Sequence, residues 1–189
     1  SCYAFQNSEV VSIIPGISGK ITAKPIIAKL NNKDMFFIGT TNGLFIYYSN
    51  LSLYKHLKLL TINKILLLGQ DRLAISTKGI FNELIIFSLP DLKEEFSFTP
   101  KMKVFDAEVS WTEKTNEIFD IKIVEDLDND RKNDLLLTAG YDLYALSGNN
   151  GKIIWKFSAQ NNLWKIAYFN NKALVTSQQG ILYICLLYT

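Results

Sequence analysis

Asp126-Leu127-Asp128-Asn129-Asp130-Arg131-Lys132-Asn133-Asp134 sets carboxylates at the first, third, fifth and ninth positions of a short polar stretch. Alternate spacing lets a tight turn aim three side chains inward, and Asp134 closes the shell from the start of the following strand. Lys132, at the seventh position, can offer its backbone carbonyl. Carboxylates held this close repel one another unless a cation neutralises them. A hard divalent ion with flexible oxygen coordination answers that need, and Ca²⁺ suits it better than Mg²⁺. The expected ligands are therefore Asp126, Asp128, Asp130, Lys132 through its main chain, and Asp134, around a structural Ca²⁺. Arg131 holds the sixth position, where a left-handed bend favours Gly. The competing reading is a solvated acidic turn whose Asp and Asn side chains satisfy backbone donors.

Other chemistry is sparse. The single histidine, His56, lies in Tyr54-Lys55-His56-Leu57 and reads as an edge residue of an outer strand, not a general base. Nucleophile elbows, phosphate loops and dinucleotide fingerprints are absent from the sequence. Glu94 and Glu95 point to opposite faces of a strand, which spoils paired acid–base work. The expectation is a protein that is not an enzyme. A net charge of +2, with its lysines scattered, argues against a nucleic-acid partner. Cys2 and Cys185 cannot build a disulfide framework. Trp111, in the polar stretch Trp111-Thr112-Glu113-Lys114, is the partner-binding candidate, unless its ring folds back onto a sheet.

The elements that must position these residues are strands. Apolar residues make up 48% and aromatics 13%, enough for a real core, and they fall in short runs broken by Gly, Asn, Asp and Ser. The pattern is all-β. Four segments repeat one plan, and their third strands start at Phe45, Leu84, Leu143 and Leu182. Second strands are expected at 35–40, 72–77, 135–139 and 172–177, and first strands at 25–30, 64–68, 119–124 and 163–169. Fourth strands follow at 53–59, 93–98 and 152–157 only, while 9–14 supplies a spare at the front. A period near 40 residues with four strands per unit is the spacing of β-propeller blades. The approximate blades are 21–60, 61–99, 118–158 and 159–189, with an insertion at about 100–117. One spare strand and one missing strand fit ring closure by a shared blade, and equally a slice of a larger seven- or eight-bladed ring.

Residues 124–137 resemble the calcium loop of FG-GAP and integrin-type propeller repeats. Leu143-Tyr144-Ala145-Leu146-Ser147-Gly148-Asn149-Asn150-Gly151-Lys152-Ile153-Ile154-Trp155 resembles the PQQ-like repeat. The match is close over 121–157 and looser in the first and second segments. It implies that Trp155 covers the seam between adjacent blades, whereas Trp164 is expected in the core or lining the channel.

Three functions follow as expectations. The first is a calcium-binding, extracytoplasmic recognition module (secreted, cell-surface or periplasmic) that takes a protein or surface ligand. The second resembles the PQQ-like lipoproteins that hold partner proteins in bacterial envelopes. Ser1-Cys2 fits the residues after a lipoprotein signal, with a lipid anchor at Cys2, and equally an arbitrary domain cut. The third, a fragment of a PQQ-dependent dehydrogenase, fits poorly, because adjacent cysteines are absent and only two arginines are present. No apolar window reaches the ~18 residues needed to span a bilayer, and the run 181–188 reads as a buried strand whose next partner is missing.

Overall fold

The computed structural model describes residues 2–6, 9–14, 16–101 and 115–187, and every regular element among them is a strand. A hairpin of β1 (Cys2–Gln6) and β2 (Glu9–Ile14) comes first. Four sheets follow in chain order, each strand lying beside its neighbour in sequence. The first holds β3 (Ile26–Leu30), β4 (Lys33–Thr40), β5 (Gly43–Tyr48) and β6 (Leu53–Leu57). The second holds β7 (Thr61–Leu68), β8 (Arg72–Lys78), β9 (Leu84–Ser88) and β10 (Glu94–Phe98). The third holds β11 (Ile118–Val124), β12 (Asp134–Ala139), β13 (Asp142–Leu146) and β14 (Ile153–Ser158). The fourth has three strands, β15 (Leu163–Phe169), β16 (Lys172–Ser177) and β17 (Leu182–Leu186). The spare strand β2 pairs with β1 in a two-stranded sheet of its own.

Sequence pattern and position in the sheet agree. Middle strands such as β12 and β13 are buried along their whole length and read as continuous apolar runs, because both of their faces are covered. The first and last strands alternate, as in β3 and β14, because they meet solvent on one side. Two-residue hairpins join β3 to β4 through Asn31-Asn32 and β15 to β16 through Asn170-Asn171. All four residues have positive φ, which Asn tolerates better than other non-glycine residues.

Contacts divide the chain into two compact units, Ser1–Gly79 with Ile86–Glu94, and Ile80–Ile85 with Glu95–Thr189. In the second unit, Val124, Leu136, Leu143, Leu163 and Val175 share one core between the third and fourth sheets. Each fully buried aliphatic side chain there is worth roughly 1.5–3 kcal/mol. Trp155 packs against this cluster, on the seam that the resemblance implied. Of the two places expected for Trp164, the core is excluded. It is exposed at the start of β15, with the Lys165 ammonium over its ring.

Candidate metal centre

Where the first and fourth sheets turn from first to second strand on two asparagines, the third inserts residues 125–133 between β11 and β12. Two anchors fix this loop. The Leu127 side chain is buried in the core of the second unit. The fully buried carboxylate of Asp134, at the head of β12, accepts the backbone N–H of Leu127 at 2.6 Å and that of Gly148 at 2.8 Å. Gly148 has to be glycine, since a Cβ there would fall 1.9 Å from the Asn133 carbonyl oxygen. The turn between β13 and β14 thus closes over the base of the loop.

With its base fixed, the loop curls over its own carboxylates. Asn129 and Arg131 adopt φ of 62° and 69°, so the left-handed bend at the sixth position is made although the residue is arginine. Asp126 accepts the N–H of Asp130 at 3.0 Å and of Arg131 at 2.6 Å, and Asp130 Oδ1 accepts the N–H of Lys132 at 2.9 Å. Carboxylate oxygens of Asp126, Asp128 and Asp130 come within 4.8 Å of one another. Asp130 Oδ2 is buried and has no hydrogen-bond partner.

Charge and burial explain the titration of the site. Partial burial pushes the Asp126 carboxyl up, but the N–H groups of Arg131, Asp130 and Asn129 outweigh it and hold the group below the usual carboxylate range. Asp134 moves the other way. Its burial dominates the two N–H bonds, and the charges of Asp128 and Asp130 add to the upward shift. Three carboxylates and a buried oxygen without a donor form a locally anionic pocket that a hard cation fits.

The structure therefore brings Asp126, Asp128 and Asp130 together and places Asp134 beneath them, with both oxygens facing backbone donors. Lys132 stands on the same loop, its ammonium donating to Asn149 Oδ1 at 2.6 Å. That link to the turn between β13 and β14 carried no signal in the sequence, nor did Gly148. Trp111 lies outside the described residues. The His56 ring stacks on Phe45 at 3.9 Å, with Nε2 2.8 Å from the Asn42 carbonyl oxygen, in keeping with an edge position.

A second buried polar group sits at the far end of the third sheet. Asp142 Oδ2 meets the Lys156 ammonium at 2.8 Å and accepts the Tyr144 hydroxyl at 3.0 Å, while Oδ1 accepts the Ser158 hydroxyl at 2.6 Å.

No protein-family model and no curated protein matches the sequence. Solved structures do match. The computationally designed Ika4 protein superposes with a TM-score of 0.61 at 11% identity, over 93% of this chain and 96% of that one. BBS1N, solved in complex with ARL6DN, gives 0.60 at 12% identity over 86% of this chain. The dihydro-heme d1 dehydrogenase NirN, in complex with DHE, gives 0.57 at 12% identity over 85%. BBS1N and NirN are β-propeller proteins, and the successive sheets of this chain have the same blade architecture. The chain spans 47% of BBS1N and 33% of NirN. No helix among the described residues is long and apolar enough to cross a membrane.

Proposed function

We propose that this chain is a non-catalytic, Ca²⁺-binding β-propeller that serves as a protein-interaction module outside the cytoplasm. The observation that carries the ion is the Asp126, Asp128 and Asp130 cluster, within which the buried Asp130 Oδ2 lacks a donor. A buried carboxylate oxygen without a donor is costly, and a bound cation removes that cost. These three side chains would hold the ion with the Lys132 carbonyl, and Asp134 would support the loop from below. Bound Ca²⁺ supplies charge neutralisation and fixes the loop; it takes no part in a reaction. Millimolar Ca²⁺ outside cells fills even a weak site of this kind, which favours an extracytoplasmic setting.

The interaction role rests on the fold, since BBS1N is a propeller solved with a protein bound to it. The absence of catalysis is supported by the use of the polar groups. His56 is stacked and faces a carbonyl, and the buried Asp120 accepts the N–H of Ile166 across two neighbouring inner strands.

Thermal unfolding with Ca²⁺ and then with chelator tests the ion. Ligand at about a hundred times its Kd stabilises the folded state by roughly 2.7 kcal/mol, so the midpoint should rise with Ca²⁺ and fall back on chelation. An unchanged midpoint at millimolar Ca²⁺ would reduce the loop to an ordinary acidic turn.

A further inference from the structure

Five large apolar side chains stand exposed on turns at one end of the second unit: Ile80, Phe81, Tyr141, Trp164 and Ile181, between 43% and 82% accessible. Topology places them together. Each lies either in a turn from the second to the third strand of a sheet or at the start of a first strand, and in a meander these points share one end. Hydrogen bonds join the turns into one continuous surface. Asn82, next to Phe81, donates its N–H to Thr115 Oγ1 at 2.7 Å and its amide to the Thr115 carbonyl at 3.1 Å. The adjacent Asn116 side chain lies against Gly140, where a Cβ would come within 2.7 Å of it. The carbonyls of Gly140 and Tyr141 accept the N–H groups of Leu163 and Ala159, both at 2.8 Å. Asn162 in turn accepts the N–H of Gln178 at 3.0 Å, on the turn that carries Ile181.

Rigidly held apolar groups on a wet surface cost stability and solubility, and contiguous ones mark contact sites. Aromatic rings already fixed by their backbone lose little entropy when a partner covers them. The charges around them select the partner. Lys101, which bridges to Thr115, and Lys165, over the Trp164 ring, are exposed. The acids beside them, Glu83 and Glu117, are half-buried and already engaged. Among the described residues, the face thus offers apolar anchors flanked by exposed lysines.

We infer that this end of the second unit docks an extended protein segment in which apolar residues alternate with carboxylates. The inference deepens the protein-interaction reading and rests on it. The apolar side chains cover Phe81, Tyr141 and Trp164, and the carboxylates meet Lys101 and Lys165.

The test uses a fluorescent peptide of alternating Leu and Glu and its Leu–Lys counterpart, titrated with the whole chain by anisotropy. The Leu–Glu peptide should bind about tenfold tighter or better than the Leu–Lys peptide, with the preference fading in salt. The double substitution Phe81→Ser, Trp164→Ser should weaken binding at least about tenfold, as truncated aromatic anchors do. Both side chains are exposed, so the circular dichroism spectrum and unfolding midpoint should stay at wild-type values. Lys165→Glu should erase the preference for the acidic peptide, independently of the double variant. Equal affinity for the two peptides, or no binding of either, overturns the proposal. Binding that survives all these substitutions also overturns it, while leaving the protein-interaction reading intact. Loss in the double variant of binding to phosphatidylserine vesicles, with no peptide bound, would assign the face to a membrane instead.

Discussion

Asp128 and Asp134 belong to one loop and carry the same functional group, yet they do different work. Asp128 is exposed and belongs to the three-carboxylate cluster, whereas Asp134 is buried and holds the N–H groups of Leu127 and Gly148. Asp128→Ala is therefore expected to lower the unfolding midpoint with Ca²⁺ present and to change little after chelation. Asp134→Ala leaves two buried donors unmet and should cost about 2–4 kcal/mol in both conditions. Chemical denaturation with Ca²⁺ and with chelator separates the two, and equal losses for both variants would contradict the assignment. Arg131→Gly probes the bend. At φ 69° an arginine is strained by about 1 kcal/mol. Glycine at this position should raise stability and tighten Ca²⁺ binding together, as isothermal titration would measure; weaker binding would mean that the guanidinium supports the loop. The spacing of Asp126, Asp128 and Asp130 was legible in the sequence because alternate residues in one turn are a local pattern. The duty of Asp134 was not, since one of its partners, Gly148, comes from a different turn.

At the level of the element, burial on both faces turns strands such as β12 and β13 into apolar runs, while solvent on one side leaves β3 and β14 alternating. That contrast is why the strand plan could be read from residue order. The expected first strand at 163–169 coincides with β15, and the expected second strand at 172–177 with β16. Trp164 eluded the same logic: alternation says which face of a strand a residue takes, not whether anything covers that face. The Asp142 cluster was equally hidden, because it joins β13 to the far end of β14. It also yields a prediction about pH. Burial raises the Asp142 carboxyl, but the bonds from Lys156, Ser158 and Tyr144 more than reverse this and set it below its ordinary 3.8. The Tyr144 hydroxyl is raised above 10.0, by burial first and then by Asp142. The Lys156 ammonium ends above 10.5, because the bond to Asp142 overcomes its desolvation. A depressed acid stabilises the fold above its unfolded value and stops doing so as pH falls through its folded value. A raised base, or a raised phenol, does the reverse at the alkaline end. The cluster should thus stabilise the third sheet on a plateau from about pH 4 to pH 10. Asp142→Asn should cost about 1–3 kcal/mol on that plateau and much less below it. Urea denaturation across pH checks this, and a cost independent of pH would assign the effect to packing.

For the whole molecule, the decisive fact is that the carboxylate loop, the Asp134 anchor and the core cluster beneath Leu127 all belong to the second unit. Ligand binding stabilises whatever must unfold to release the ligand, and nothing else. An amide that exchanges only when the second unit opens should therefore gain the full binding free energy. An amide in the first unit should gain it only if the two units open as one. Compact units defined by internal contacts commonly open separately. Saturating Ca²⁺ should accordingly slow exchange at β12, β13 and β16 by up to about a hundredfold at one hundred times Kd, and leave β4 and β5 nearly unchanged. Asp128→Ala should abolish the difference without altering exchange in chelator. Equal slowing in both units would show that the chain unfolds as one cooperative body, so that an ion held by three side chains on one turn stabilises every blade. Slowing confined to residues 125–133 would mean that the ion closes the loop without supporting the sheet behind it. The buried carboxylate of Asp134, which ties that loop to β12 and to the turn before β14, argues for protection that spreads into the sheet.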